Sequence, residues 1–170
     1  MQASVLESME AIIFRRATAG DADSIWQVRI RAIRSGCKDH YSPNIIEAWV
    51  SSPLPTSFPS FIEDEPFFVA ELRSKVVGFA GLKRGTSEVD ALFVSPEVAG
   101  AGLGTKLLKH VEQMARELLI PKLVLDASLN SVRFYKAAGY SEGQQGMHTT
   151  TSGLQIACVH MEKSLAGTRA

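Results

Sequence analysis

The sequence predicts an α/β (α+β) fold, and three observations lead to this class. Two β-rich runs, residues 66–72 and 76–82, are separated by a short turn and form a hairpin. Residues 91–108 give a strand, a glycine turn and a helix in direct succession. A further apolar run at residues 122–127 precedes a short helical segment. Strands and helices therefore share one chain, and no internal repeat is present.

Length and charge limit the classes of function. The chain has 170 residues, of which 45% are hydrophobic and 21% are charged, an ordinary composition for a globular protein. We predict a single domain over residues 1–170. Lysine plus arginine equals aspartate plus glutamate at 18 each. No overall field therefore draws the chain to nucleic acid or to an anionic membrane.

Location and metal content are predicted from features that the sequence lacks. Cys37 and Cys158 are far apart and show no metal-binding spacing. No apolar stretch reaches the roughly 20 residues of a membrane span. Residues 1–10 contain Glu7 and Glu10 and lack the long apolar centre of a signal peptide. We expect a cytoplasmic protein without a bound metal.

The first predicted elements are a strand at residues 12–17 and a helix at residues 22–35, with Asp21 as the helix N-cap. Arg29 falls inside the apolar arc of this helix. An unpaired buried guanidinium is costly, so two interpretations stay open. Arg29 either forms an internal salt bridge or lines a substrate pocket.

The next segment combines turn-forming and apolar residues. Ser42 and Pro43 begin a turn, and a short helix follows around residues 45–50. Residues 51–59 contain three prolines and three serines, which predicts an irregular surface loop. After the hairpin, a third β-rich run at residues 88–94 leads into the glycine turn.

Gly100, Gly102 and Gly104 join that run to an amphipathic helix that we predict over residues 103–119. Glycines let the main chain approach a ligand, and a helix start presents unpaired N–H groups and a positive dipole end. Such a turn binds anions. The spacing fits neither a dinucleotide fingerprint nor a nucleoside triphosphate loop. The alternative is a tight strand-to-helix turn without a ligand.

The carboxy-terminal part of the chain is predicted to contain a strand, a helix and two further strands. The apolar run at residues 122–127 is typical of a strand buried on both faces. A helix over residues 128–138 follows, with Gly139 as its left-handed C-cap and Tyr140 at the start of the next strand. Residues 143–151 are rich in turn formers, and residues 154–161 are predicted to form the last strand.

Two motifs resemble those of the GNAT superfamily of acyl-CoA-dependent N-acyltransferases, and the resemblance extends over about residues 12–163. The first reads Ala99-Gly100-Ala101-Gly102-Leu103-Gly104, after Val94-Ser-Pro96-Glu97. The second reads Asn130-Ser-Val-Arg-Phe134-Tyr135-Lys-Ala-Ala-Gly139-Tyr140. More loosely, His40-Tyr41-Ser42-Pro43 with Trp49, and Val124-Leu-Asp-Ala-Ser128, resemble a bacterial subgroup of small acetyltransferases.

The resemblance implies a GNAT fold: a mixed, mostly antiparallel sheet of six to seven strands with about four helices, splayed between the fourth and fifth strands. It also implies that acetyl-CoA binds as the acyl donor. The implied coenzyme-binding residues are Leu92, Phe93, Val94, Ala99, Gly100, Ala101, Gly102, Leu103, Gly104, Thr105, Asn130 and Tyr135. Ala99 stands where the family usually has arginine or glutamine, so we expect weaker binding of the coenzyme.

The resemblance also assigns the chemistry. Tyr135 matches the general acid, which protonates the departing thiolate. Asp90 stands where many members carry an acidic residue that deprotonates the amine, and His40 is an alternative base. The acceptor pocket is expected to involve Arg29, His40, Tyr41 and Trp49. The other three histidines, His110, His148 and His160, have no partner pattern and are interpreted as non-catalytic.

The predicted function is transfer of the acetyl group of acetyl-CoA to a primary amine of a small molecule or peptide by direct attack. The alternative is a non-catalytic acyl-CoA-binding or sensing module of the same fold. A toxin-type enzyme acting on aminoacyl-tRNA would need a basic groove, and the zero net charge argues against it. A homodimer is common for this fold.

Overall fold

The computed structural model describes residues 11–166. Residues 1–10, considered above for a signal peptide, and residues 167–170, within the predicted domain, lie outside this range. The strands are β1 (Ile12–Arg16), β2 (Phe67–Leu72), β3 (Lys75–Leu82), β4 (Val89–Val94), β5 (Lys122–Ser128), β6 (Ser141–Thr149) and β7 (Gln155–Ser164). The α-helices are α1 (Ala22–Gly36), α2 (Pro43–Val50), α3 (Phe58–Asp64), α4 (Leu103–Glu117) and α5 (Val132–Ala137).

The strands form two sheets, and every strand pair within them is antiparallel. The first sheet has the order β1-β2-β3-β4, and the second has the order β5-β7-β6. The two sheets meet at one parallel bridge between Glu88 and Val124. The Val124 amide donates there to the Ser87 carbonyl oxygen at 2.9 Å. Beyond this bridge β4 and β5 separate, which confirms the predicted mixed fold and its splay between the fourth and fifth strands.

Two long helices cover opposite faces of the first sheet. Phe79 of β3 packs in a core cluster with Ile25 and Val28 of α1. Its neighbour Ala80 packs with Leu107 of α4 in a second cluster. Because successive strand residues face opposite sides of a sheet, α1 and α4 lie on opposite faces. This arrangement places the end of β4 between the two helices.

Helix α3 begins inside the segment that was predicted to be an irregular loop, so that prediction was wrong at its end. Pro59 lies in the first turn of α3, where a helix does not need the missing N–H group. Ile62 is completely buried. The Phe58 ring packs edge-on against Trp26 of α1, with 5.3 Å between ring centroids. This packing fixes the helix, and the composition of the segment alone does not reveal it.

The prediction of a turn-rich segment at residues 143–151 was also wrong for most of its length, because β6 continues to Thr149. A Cβ atom on Gly143 would lie 2.8 Å from the His160 carbonyl oxygen, and one on Gly146 would lie 2.6 Å from His160 Nε2. These glycines therefore allow β7 to approach closely rather than forming turns.

The predicted helix at residues 103–119 ends two residues early. Leu119 adopts a left-handed conformation with φ of 59°, and its side chain is 87% exposed. Helix α5 is also shorter than predicted, but Gly139 after it has φ of 94°, which confirms the left-handed cap. Asp21 does not cap α1 with its side chain; it binds the Arg15 guanidinium at 2.8 Å. Within residues 11–166, no helix has the length and apolar character needed to cross a bilayer.

Candidate functional site

A cleft of about 1150 Å³ opens where β4 and β5 separate. Its walls come mainly from α1, α2, α3, β4, β5, α5, β6, β7 and the turn between β6 and β7. The sequence-predicted site residues that line it are Arg29, Tyr41, Trp49, Asp90, Leu92, Phe93, Val94, Asn130 and Tyr135. Nine predicted residues from distant parts of the chain therefore meet in one cleft.

The glycine turn lies at one end of the cleft, next to Val94 and Phe134, which line it. Gly100 and Gly102 have φ of 79° and 84°, a region that side-chain-bearing residues rarely adopt. A Cβ atom on either would meet no other group within 4 Å. The space in front of the turn is open, so the main chain can be approached directly.

The start of α4 supplies the donors at this turn. The first helical amides, those of Leu103, Gly104 and Thr105, precede the first turn's hydrogen bond, in which Lys106 donates to Gly102 at 3.2 Å. The Leu103 side chain is buried, so only its main chain can face a ligand. Ala99 and Ala101 add no polar side chain. The turn therefore has the backbone N–H groups and the helix dipole that an anion site needs.

Strand β4 presents one edge to the cleft. Its other edge pairs with β3 through residues such as Phe93 with Phe79 and Leu92 with Ala80. Beyond the Glu88 bridge, no described strand within residues 11–166 pairs with the cleft-facing edge. Leu92, Phe93 and Val94 are half-buried there. Alternate residues of an antiparallel edge strand direct their N–H and C=O groups away from the paired strand, so this edge can pair with an extended, amide-containing ligand, much as a further strand would.

Tyr135 lies in the cleft wall and is 7% exposed. Its ring packs edge-on between Phe134 and Tyr140, with centroid separations of 5.0 and 5.5 Å. Burial raises the pKa of the Tyr135 phenol far above its ordinary value. The group therefore stays protonated at neutral and moderately alkaline pH, as a proton donor must.

Asp90 is exposed to the cleft at the start of β4. Desolvation by the cleft walls raises the pKa of its carboxyl, and the negative charges of Glu88 and Glu65 add to the rise. Lys83 and His148 oppose it. A carboxylate with a raised pKa accepts a proton more readily than an ordinary one.

Arg29 also lines the cleft, and its predicted salt bridge is absent. No carboxylate within residues 11–166 lies within 4.0 Å of its guanidinium, so that interpretation was wrong. Nη2 donates to the Trp49 carbonyl oxygen at 3.3 Å. The guanidinium carbon lies 4.4 Å from the centroid of the Trp26 ring. Desolvation lowers the pKa of Arg29.

The structure brings Tyr41, Trp49 and Asn130 to the cleft but leaves His40 exposed outside it. The Tyr41 hydroxyl donates to the Ala157 carbonyl oxygen at 2.6 Å and accepts from the Leu129 amide at 2.9 Å. Its ring contacts Trp49 edge-on. Both hydrogen-bonding roles of the hydroxyl are therefore used to tie the α1–α2 turn to the second sheet.

Asn130 links the second motif to the end of α1. Its Oδ1 accepts a hydrogen bond from Cys37 Sγ at 3.3 Å. Burial raises the pKa of the Cys37 thiol to about 11. A neutral thiol donates a weak hydrogen bond and is a poor nucleophile. We therefore interpret Cys37 as a packing residue that holds Asn130 at the cleft.

Sequence reasoning missed a cluster on the second sheet. His148 Nδ1 lies 3.0 Å from Asp126 Oδ2, and His160 Nδ1 contacts Asp126 Oδ1. Asp126, His148 and Cys158 line the cleft. The three polar groups come from β5, β6 and β7, so no local spacing reveals their pairing. The spacing of two between Cys158 and His160 was the one available signal, because it places both on one face of a strand.

The same cluster offers groups that could hold a metal. The ligand atoms of Asp126, Cys158 and His160 lie within 4.8 Å of one another. The Asp126 carboxylate oxygens also contact His148 and His160.

Comparison with known proteins identifies the family. A family model described as an acetyltransferase (GNAT) domain matches residues 37–165. The uncharacterized N-acetyltransferase YafP of Escherichia coli is 28% identical over 137 residues, which are 81% of this chain and 86% of YafP. The peptidyl-lysine N-acetyltransferase YjaB of E. coli is 38% identical over 82 residues, 48% of this chain and 53% of YjaB.

Solved structures agree. A GCN5-related N-acetyltransferase from Rhodopseudomonas palustris has a TM-score of 0.82 and 29% identity, covering 89% of this chain and 94% of that one. PaiA N-acetyltransferase from Thermoplasma acidophilum, solved with coenzyme A, has a TM-score of 0.69 and 22% identity, covering 90% and 98%. The relatives support N-acetyltransferase activity in general. The family model matches more than half of this chain, and the chain therefore belongs to the GNAT acetyltransferase family.

Proposed function

We propose that this protein transfers the acetyl group of acetyl-CoA to a primary amine of a small molecule or peptide by direct attack. The observation that carries the proposal is the cleft between β4 and β5, because an open glycine turn adjoins it and a buried phenol lies in its wall. The structural likeness to PaiA, which was solved with coenzyme A, supports the choice of acyl donor.

The donor would occupy the cleft in a defined order. The pyrophosphate would lie on the amides of residues 100–105, where glycine leaves the approach open. The pantetheine amides would pair with the free edge of β4 between Leu92 and Val94. The thioester would then lie beside Phe93 and Val94, where a main-chain N–H could polarise its carbonyl oxygen. Asn130 also lines the cleft.

The chemistry needs one base and one acid. Asp90, directly or through water, would accept a proton from the acceptor's ammonium group. The free amine nitrogen would attack the thioester carbonyl carbon and form a tetrahedral intermediate. The carbon–sulfur bond would then break, and Tyr135 would give its proton to the departing thiolate. The proton that the positively charged nitrogen must still lose would pass, directly or through water, to the Tyr135 oxygen and restore the phenol. The products are an acetamide and free coenzyme A.

Charge in the cleft favours a cationic acceptor over a nucleic acid. Glu88, Asp90 and Asp126 line it, against two basic side chains, Arg29 and Lys83. An ammonium group is attracted to such a site, whereas a phosphate backbone is repelled. YjaB acts on peptidyl-lysine according to its name, and a lysine side chain is one example of a primary amine.

The test measures coenzyme A release and acetylated product with acetyl-CoA and a panel of primary amines. Release that depends on the amine, with product carrying one acetyl group, supports the enzyme. Tight binding of acetyl-CoA without release for any amine would instead support the non-catalytic module. Acetyl-CoA should also raise the melting temperature more than NAD or ATP does. Equal shifts from all three would remove the support for the phosphate-binding turn.

A further inference from the structure

We propose that the acceptor amine carries a carboxylate and that Arg29 binds this group. The inference rests on the proposed function, because it names the substrate class of the same cleft. Arg29 is a cation in the cleft wall, and its Nη1 has no hydrogen-bond partner among residues 11–166. The acceptor would therefore be an amino carboxylate, such as a free amino acid.

The guanidinium of Arg29 has unused hydrogen-bonding capacity. Its one recorded hydrogen bond in the described residues joins Nη2 to the Trp49 carbonyl oxygen. Nη1 is buried and has no hydrogen-bond partner within residues 11–166. The guanidinium carbon lies over the Trp26 ring in a cation–π contact. Leaving a buried cationic donor unpaired destabilises a fold, so a residue kept in this state is expected to serve a ligand.

The other arginines of α1 provide an internal comparison. Arg31 Nε lies 3.7 Å from the Glu97 carboxylate, and Arg34 Nη2 lies 3.2 Å from that of Glu47. Both are exposed. The two outward arginines therefore have protein carboxylates as partners, whereas Arg29, which lines the cleft, has none in the part of the chain that the structure describes. The missing carboxylate would come from the ligand.

A carboxylate suits this position better than a phosphate of the coenzyme. Arg29 lies on α1, whereas the phosphate-binding turn precedes α4, which covers the opposite face of the first sheet. The planar fork of a guanidinium matches a carboxylate in a bidentate pair. Because Nη1 is buried, a carboxylate in the cleft would reach it only after the Arg29 side chain moves.

Acidic side chains elsewhere in the cleft suit the ammonium group of the same acceptor. Asp90, Glu88 and Asp126 attract the ammonium group of the acceptor, while Arg29 attracts its carboxylate. A molecule with both groups would satisfy both parts of the cleft. A simple amine would leave Arg29 unpaired, and a lysine in a peptide chain would bring no carboxylate of its own.

The experiment compares matched acceptors, 4-aminobutyrate with 4-aminobutanamide and phenylalanine with phenylalaninamide. We expect the wild-type protein to favour the carboxylate of at least one pair by about 10- to 100-fold in kcat/KM, the range of a charge-assisted hydrogen bond. In Arg29→Met the ratio of kcat/KM for the carboxylate to kcat/KM for its amide should fall close to one, with KM for acetyl-CoA unchanged. Comparing the ratio between proteins cancels the different pKa values of the paired amines.

Two further variants control the test. Arg31→Met removes a charge from the same helix outside the cleft and should keep the preference. Arg29→Lys should retain part of it, because a cation remains, and guards against misfolding of the methionine variant. A preference that persists in Arg29→Met, a wild-type protein that uses acid and amide equally, or a higher KM for acetyl-CoA in Arg29→Met would each overturn the inference.

A binding measurement separates this inference from the proposed function. The melting temperature is measured with coenzyme A and each acceptor, so no turnover is needed. A shift with 4-aminobutyrate or phenylalanine that is absent with the amide and lost in Arg29→Met supports the carboxylate site even if no amine is acetylated. Acetylation of amines without any carboxylate preference would leave the proposed function standing and remove this inference alone.

Discussion

The Phe134 ring lies against Gly104, so that a Cβ atom placed on Gly104 would come within 3.3 Å of it. This contact joins the two motifs on which the family resemblance rests. It explains why the third glycine of the turn is needed even though its φ is not in the left-handed region. The glycine leaves room for an aromatic ring of the cleft wall.

We predict that Gly104→Val destabilises the protein by about 1–3 kcal/mol, because the larger side chain must push Phe134 away. It should also weaken acetyl-CoA binding, since the turn and Val94 are displaced together. Denaturant unfolding and isothermal titration measure the two effects. Thr105→Val, one residue along on an exposed position, is the matched control and should change neither strongly. Equal stability of the two variants would contradict the packing argument.

A negative charge at the turn should separate coenzyme binding from stability. Thr105 is exposed in the first turn of α4, where a carboxylate stabilises a helix by about 0.3–1 kcal/mol. Thr105→Glu should therefore keep or raise the melting temperature and weaken acetyl-CoA binding by about 10-fold through repulsion.

Two further substitutions are compared with Thr105→Glu, one as an uncharged control and one that should act in the opposite direction. Thr105→Gln has nearly the same shape without the charge and should bind acetyl-CoA almost as wild type does. Ala99→Arg restores the residue type usual at the first motif position and should tighten binding. If Thr105→Glu binds acetyl-CoA normally, the phosphates do not lie on this turn.

The role of Tyr135 is tested by removing only its oxygen. Tyr135→Phe should lower kcat by about 10²- to 10⁴-fold with KM for acetyl-CoA nearly unchanged, the signature of lost general acid catalysis. Burial raises the pKa of this phenol. We therefore expect the loss of activity that its deprotonation causes to begin only above pH 10. Steady-state kinetics over pH 6–9 should thus show a lower plateau and no shifted limb. A variant as active as wild type would mean that Tyr135 only packs.

Asp90→Asn tests whether Asp90 is the base, and the raised pKa of Asp90 also predicts how this substitution changes the melting temperature. Desolvation raises the pKa of the Asp90 carboxyl, so its favourable contribution to stability is present at low pH and is lost as pH rises. At pH 7 the charged group therefore costs stability, and Asp90→Asn should melt at the same or a higher temperature.

The same variant should lose about 10²-fold or more in kcat and lose the acid limb of kcat/KM, which falls as a base is protonated. Asp39→Asn, on an exposed turn outside the cleft, is the control. Unchanged activity of Asp90→Asn would direct attention to His148 and Asp126. A lower melting temperature than wild type would contradict the raised pKa.

Residues that act through local backbone geometry could be predicted well. The strand before Ser95, the glycine turn and the start of α4 follow from one short stretch, because proline, glycine and helical periodicity act between neighbours. The fold class could be predicted for the same reason, since most elements carry their own pattern.

Residues whose meaning depends on a distant partner could not be predicted. Gly143 and Gly146 indicated turns, but His160 on the next strand makes them close-contact positions. The pairing of Asp126 with His148 and His160 needs three strands to be placed side by side. Pro59 suggested a loop until Trp26 and its neighbours gave α3 a surface to pack on.

Arg29 shows most clearly which properties follow from the sequence and which follow only from the tertiary structure. The sequence by itself determined that a guanidinium lies on the apolar side of α1, because helical periodicity is a local property. Only the tertiary structure decided that no protein carboxylate reaches it among the described residues and that it borders the cleft. The reason is physical: the partner of a buried charge is set by which elements pack around it, and that packing is fixed by contacts between residues far apart in the chain.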